Sequence, residues 1–163
     1  KGNFAVKRII LKKKIQNKIK KNLILIFTKE VRESSRIIRN QRLNFNKNKS
    51  IEIYDKIKKK VSVIEDGLKR GDIKLIGQTF DEHWKLKRQI SNKISNSQLD
   101  KTYVELMKTN YFYGGKIIGA GGGGFFLMVL KKRKNALKFL KNKKYNFINF
   151  KLDKYGTKLI KNS

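Results

Sequence analysis

Residues 114–129 read Gly-Gly-Lys-Ile-Ile-Gly-Ala-Gly-Gly-Gly-Gly-Phe-Phe-Leu-Met-Val, and no other segment constrains the fold as tightly. Four consecutive glycines, Gly121 to Gly124, follow Gly119 and Ala120 and lie between two strongly apolar segments. Glycine loses more backbone entropy on folding than any other residue, so such a run weakens a fold unless bare backbone must be approached closely. A phosphate is the usual guest, because its oxygens accept from a concave set of N–H groups.

Gly119, Gly121 and Gly124 match the G-x-G-x-x-G spacing of dinucleotide-binding loops, but the context rejects that reading. That motif opens a helix whose N-terminus holds the pyrophosphate, and it needs an acidic residue about 20 positions on. Here Phe125-Phe126-Leu127-Met128-Val129-Leu130 follows, which reads as a buried strand, and no Asp or Glu occurs between Glu105 and Asp153. A Walker loop fails too, since no Lys-Ser or Lys-Thr follows Gly124. The loop therefore joins strand to strand. A ligand-free hairpin needs fewer glycines than these.

The elements around the loop give an α+β order. Asn22 to Thr28 is a continuous apolar run of strand length, suited to a strand buried on both faces. Residues 30–42 read as a helix with Val31, Ser35, Ile38 and Arg42 on one face, and residues 44–49 as a polar loop. Ser50 is placed to cap a helix carrying Tyr54, Ile57, Val61, Ile64 and Leu68, which Gly71 ends. Asp72 caps the next, with Ile73, Ile76, Phe80, Trp84 and Leu86 inward. A further helix starts at Ser97 with Leu99, Tyr103 and Leu106 as its apolar side, and Gly114 stands as its C-terminal cap. Lys131 to Lys143 reads as a short basic helix and Tyr145 to Leu152 as a final strand. No internal repeat and no linker divides the chain.

At 163 residues the chain can bury a real core. Its net charge of +30 invites a nucleic-acid reading. Lysine outnumbers arginine about fourfold, however, and the lysines are spread along the chain. With abundant asparagine and isoleucine and no proline, the profile is that of A+T-rich coding sequence, and most charges form a solvated surface. A nucleic-acid binder more often carries arginine for bidentate base contacts or aromatics among the basic residues. With no cysteine there is no disulfide, thiol nucleophile or cysteine–zinc site. Nothing resembles a signal peptide, and Ile117 to Leu130 is too short for the roughly 20 residues of a spanning helix. A soluble cytoplasmic protein without a membrane partner is expected.

Strand–loop–strand with Lys116-x-x-Gly119-Ala120-Gly121-Gly122-Gly123-Gly124 resembles the third motif of the GHMP kinase superfamily, and within it the sugar kinases acting on heptose 7-phosphate. Asn22 to Ile38 is similar to the family segment in which an apolar strand ends in threonine, followed by an arginine and small hydroxyl residues. His83-Trp84-Lys85-Leu86-Lys87, Ser95-Asn96, Leu99-Asp100 and Tyr103 resemble the helical approach to the glycine motif. One departure is Lys29, where relatives usually have glycine after the threonine.

The resemblance implies a GHMP kinase C-terminal domain over residues 22–163, with helices on a small, mostly antiparallel, ferredoxin-like sheet. Residues 1–21 are then the end of an N-terminal kinase domain. It implies a C-terminal part of an ATP- and Mg2+-dependent sugar or sugar-phosphate kinase. The Pro-x-x-x-Gly-Leu-Gly-Ser-Ser phosphate loop and the catalytic aspartate are expected upstream of Lys1, so that this chain alone is inactive and its missing N-terminal domain is a partner. The implied phosphate- or substrate-binding residues are Gly119, Ala120, Gly121, Gly122, Gly123, Gly124, Lys116, Arg32 and Ser34. Lys116 neutralises phosphate or is solvated; Arg32 offers a planar fork to an anion or lies on a helix surface. Thr28 reads as a helix cap and His83, the single histidine, as a packed structural residue. No metal site is expected in this chain. The alternatives are a basic nucleic-acid-binding module, whose affinity falls steeply with salt, and a non-catalytic kinase paralogue.

Overall fold

The computed structural model describes residues 8–31, 33–45 and 48–149. Six helices and four strands follow one another: α1 (Lys13–Asn22), β1 (Leu23–Phe27), α2 (Ser34–Phe45), α3 (Asn48–Arg70), α4 (Ile73–Arg88), α5 (Ser97–Lys108), β2 (Phe112–Ile117), β3 (Phe125–Leu130), α6 (Arg133–Asn142) and β4 (Phe147–Ile148). The strands form one sheet in the order β2-β3-β1-β4, every pair antiparallel. That is the ferredoxin-like arrangement, with α2 to α5 as the first crossover and α6 as the second.

Register explains where the core lies. Ile24 and Ile26 of β1 pair with Met128 and Phe126 of β3, and Ile117 of β2 pairs with Phe126. All five are fully buried against Trp84, Leu99, Leu106, Ala136 and Leu140 from α4, α5 and α6. Burying a large side chain of this kind stabilises by about 1.5–3 kcal/mol. On the other face of the sheet, Leu23 and Val129 pack with Ile15 and Ile19 of α1 and with Ile73 and Ile76 of α4. Leu25, Phe27, Phe125 and Leu127 on that face are only half-buried, and Lys116 pairs with Leu127 beside them. The strand expected to be covered on both faces is fully covered on one.

Helix α4 rides directly on the backbone of β2. A Cβ at Gly77 would lie 2.4 Å from Tyr113 Cβ, and one at Gly114 would lie 2.2 Å from the Gly77 carbonyl oxygen. Two glycines are needed where helix and strand backbones touch. Tyr103 of α5 fastens the strand to α4: its hydroxyl lies 2.8 Å from Asp81 Oδ1 and 3.0 Å from the Gly115 carbonyl oxygen, and accepts from Gly115 N–H at 3.2 Å.

Several local expectations are corrected. Gly114 belongs to β2 and caps nothing; α5 ends at Lys108, and Asn110 takes the left-handed position at φ 56°. Within the span read as a polar loop, α2 runs to Phe45 and α3 starts at Asn48; residues 46 and 47 lie outside the described residues. Ser50 is therefore inside α3, buried, and does not cap it. The inward residue of α2 is Ile37, with Val31 and Ile38 81% and 42% exposed. Asp72 does cap α4, accepting from Leu75 N–H at 2.9 Å. In the final strand only Phe147 and Ile148 pair with β1, and residues 150–152 lie outside the described residues.

Candidate functional site

The β2–β3 connection, residues 118–124, is a hairpin closed by Ile118 N–H donating to Phe125 O at 3.1 Å. Gly119 and Gly121 to Gly124 all have positive φ. The loop is built into its surroundings. Gly122 N–H donates to Ile94 O and Gly124 N–H to Glu30 O, each at 2.7 Å. Gly124 O in turn accepts from Thr28 N–H at 2.9 Å and Thr28 Oγ1 at 3.0 Å. Gln41 Nε2 donates to Ala120 O at 2.9 Å. Thr28 is thus a clamp on the loop and not a helix cap, since α2 begins only at Ser34. At Gly123 close approach is absolute: a Cβ would stand 2.2 Å from Glu30 O.

These bonds divide the rim. Gly122 and Gly124 spend their N–H groups on the protein. Among the described residues, the N–H groups of Gly119, Ala120, Gly121 and Gly123 donate to no protein acceptor. These four remain available to an anion, and Gly119 is the exposed one.

Lys116 lies on β2 at the foot of the loop, half-buried, its Nζ 5.7 Å from the centre of the Phe80 ring. His83 and Lys87, one turn apart on α4, face it. Lys87 Nζ donates to Gly119 O at 2.6 Å. Neither lysine has a carboxylate partner among the described residues. Burial, then the charge on Lys116, lowers Lys87 to about 8. Burial alone lowers Lys116. Burial, then Lys116 and Lys87, lowers His83 to about 4, so its imidazole is neutral at physiological pH. His83 Nδ1 is buried without a hydrogen-bond partner. His83 and Lys116 stand together on the wall of a cavity of about 470 Å³ whose other walls include Ile57, Ile64 and Phe80. The arrangement is an electropositive, partly dry corner next to unpaired backbone N–H groups. Such an arrangement of charges and donors suits an anion.

Of the residues singled out in the sequence, Lys116 and residues 119–124 are brought together. Arg32 lies outside the described residues. Ser34 opens α2 with its side chain exposed and makes no hydrogen bond to the loop. Sequence reasoning missed Lys87 and the position of His83 beside Lys116. The signal was the four-residue spacing of His83 and Lys87 around Trp84, a spacing that puts both on one helix face. Trp84, fully buried, fixes the helix rotation. Tyr111, Phe112 and Tyr113 lie at the end of β2 away from the loop, where Tyr111 packs on Phe139.

Among the described residues no group of three or more His, Cys, Asp or Glu is arranged to hold a metal ion. None of the described helices is long and apolar enough to cross a membrane.

Residues 64–146 match the family model described as GHMP kinases C terminal. The chain is 30% identical over 150 residues to D-glycero-alpha-D-manno-heptose 7-phosphate kinase of Campylobacter jejuni, covering 91% of this chain and 44% of the relative. Its fold is similar to a crystal structure of L. major mevalonate kinase in complex with R-mevalonate, with a TM-score of 0.66, 24% identity, and coverage of 74% and 38%. It is also similar to the Methanococcus jannaschii mevalonate kinase, with a TM-score of 0.65, 22% identity, and coverage of 86% and 42%. The chain spans less than half the length of each of these proteins.

Proposed function

This chain belongs to the GHMP kinase C-terminal family, and from that premise we propose that it is the C-terminal part of an ATP-dependent kinase acting on a sugar or sugar phosphate. The observation that carries the reading is the glycine loop. It is clamped at Gly122 and Gly124 by Ile94 and Glu30, while at its edge stand four N–H groups without an acceptor and two lysines without a carboxylate among the described residues. Residues 22–163 are the C-terminal domain, and residues 1–21 the tail of an N-terminal domain that supplies the ATP phosphate loop and the catalytic carboxylate.

In phosphoryl transfer the acceptor hydroxyl oxygen bonds to the γ-phosphorus, the bond to the bridging oxygen of ADP breaks, and the hydroxyl proton passes to a base. Positioning and charge stabilisation carry most of the catalysis. This chain's share is a wall: the glycine loop, residues 119–124, borders the site, and Gly119, Ala120, Gly121 and Gly123 present N–H groups to phosphoryl or substrate oxygens. Lys116 balances negative charge. Arg32 and Ser34 are proposed contacts of the same substrate from the segment after β1. A set made of donors suits phosphate oxygens and does not suit Mg2+, which we assign to the ATP phosphates and the upstream half. The heptose 7-phosphate kinase of Campylobacter jejuni makes a heptose phosphate the first acceptor to test. A cytoplasmic location follows from the small phosphorylated substrates.

The test is ATP-dependent ADP formation by the protein carrying its native sequence upstream of Lys1, measured across a panel of sugars and sugar phosphates. Turnover on at least one acceptor is expected. A folded protein that binds ATP and turns over none of them is a non-catalytic paralogue, and the reading fails.

A further inference from the structure

The corner at the foot of the glycine loop holds more positive charge than a wall requires. Lys87 and Lys116 are both half-buried, both without a carboxylate among the described residues, and close enough that the charge on Lys116 lowers Lys87 and both charges lower His83. Holding two uncompensated ammonium groups in a partly dry site costs stability, and the lowered values of both lysines record that cost. Most of the chain's lysines avoid the cost by standing in water. The backbone of α4 on β2, through Gly77 and Gly114, forces these two together.

We propose that Lys87, Lys116 and His83 form a subsite for the phosphate monoester carried by the acceptor, separate from the phosphoryl group in transit. Three observations support it. A monoester dianion matches the two ammonium charges, whereas the phosphates of ATP arrive with a divalent counterion. Lys87 is aimed at the loop by its bond to Gly119 O, so a bound oxygen also meets the open N–H of Gly119 or Ala120. His83 and Lys116 open onto the cavity of about 470 Å³, within the range of small-molecule sites, with room for the acceptor's carbon skeleton. His83 lines that cavity beside Lys116, although its Nδ1 is itself buried. The neutral imidazole adds no third charge.

This assignment rests on the kinase reading only for what carries the phosphate. The binding test uses the 163-residue chain, with amide chemical shifts followed during titration with inorganic phosphate, glycerol phosphate, glycerol and ATP at fixed ionic strength. Phosphate and glycerol phosphate should produce saturable shifts at Lys87, Lys116, Gly119 and Ala120, and glycerol none. Lys87→Met and Lys116→Met should each weaken glycerol phosphate binding about tenfold, in line with the loss of one charge-assisted contact. Lys87→Arg should retain binding, and Lys138→Met, on α6, should leave it unchanged. Core amide shifts in each variant report that it is folded. The proposal is overturned if shifts are non-saturable and spread over the surface lysines, or if Lys138→Met weakens binding as much as Lys87→Met. It is also overturned if ATP alone occupies the site. If the longer protein transfers no phosphoryl group while the subsite binds, the kinase reading falls and the subsite stands. If the longer protein phosphorylates a phosphate-free acceptor with a KM unmoved by Lys87→Met, the subsite falls and the kinase reading stands.

Discussion

Lys87 Nζ donates to the Gly119 carbonyl oxygen at 2.6 Å, which ties the last turn of α4 to the start of the glycine loop. The loop has two separate sets of anchors. Lys87 and Gln41 hold Gly119 and Ala120, while Ile94, Glu30 and Thr28 hold Gly122 and Gly124. Lys87→Met should therefore lower the backbone order parameters of Gly119 to Gly121 from near the rigid value of about 0.85 toward 0.6, and leave Gly122 to Gly124 unchanged. Relaxation measurements on the labelled chain check it. Uniform loosening of all six residues would show that the anchors act as one.

Gly123→Ala and Gly119→Ala should differ sharply although both residues have positive φ. A Cβ at Gly123 meets Glu30 O at 2.2 Å, and that carbonyl is held by its bond from Gly124 N–H. A Cβ at Gly119 would meet no atom within 4 Å beyond its chain neighbours. Urea unfolding should show a loss of about 3 kcal/mol for Gly123→Ala, from overpacking and backbone strain together. The loss for Gly119→Ala should be about 1 kcal/mol, the cost of a left-handed alanine. Equal losses would mean that the contact with Glu30 yields freely.

Lys29 stands at φ 61°, the left-handed region, directly after Thr28. The sequence resemblance has glycine at this position, and the backbone here shows why. Lys29→Gly should stabilise the chain by about 0.5–1 kcal/mol, because relief of roughly 1–2 kcal/mol outweighs the added unfolded-state entropy. Thermal unfolding should shift up by about 2–3 °C. A lower midpoint would indicate that the lysine side chain contributes a contact of its own.

How much of this was legible in the sequence depends on how local the cause is. The glycine loop and its flanking strands were readable because apolar runs bracket the glycines, and Asp72 was readable as a cap because capping acts over three residues. The Ile37–Ile38 pair was not: either isoleucine could face inward, and contacts with the rest of the fold decided. The Asn- and Lys-rich span between α2 and α3 looked like a loop because those residues favour solvent. Lys87 and Lys116 meet only because α4 lies on β2 at Gly77 and Gly114, a contact with no local signature.

His83 is the single histidine of the sequence, so its titration is unambiguous. Its folded value of about 4 lies below the ordinary 6.5, so the unfolded chain binds a proton between these values and the folded chain does not. Its contribution to stability should be complete above pH 6.5 and fall as pH drops from 6.5 toward 4. Denaturation at a series of pH values checks this, and His83→Gln should flatten that part of the profile. Lys87 gives the same sign at higher pH: below its ordinary 10.5 down to about 8 the unfolded chain holds the extra proton, so stability should rise from pH 8 to 10.5.

The central claim is that this chain supplies one wall of a kinase site whose other wall lies in the sequence preceding Lys1. Phosphorus NMR of ATP, Mg2+ and heptose 7-phosphate tests it most directly. The spectra compare the protein with its native upstream sequence, the upstream part alone, and residues 1–163 alone. The account predicts a new phosphate ester and ADP only with the whole protein. Transfer at the full rate by the upstream part alone would contradict it.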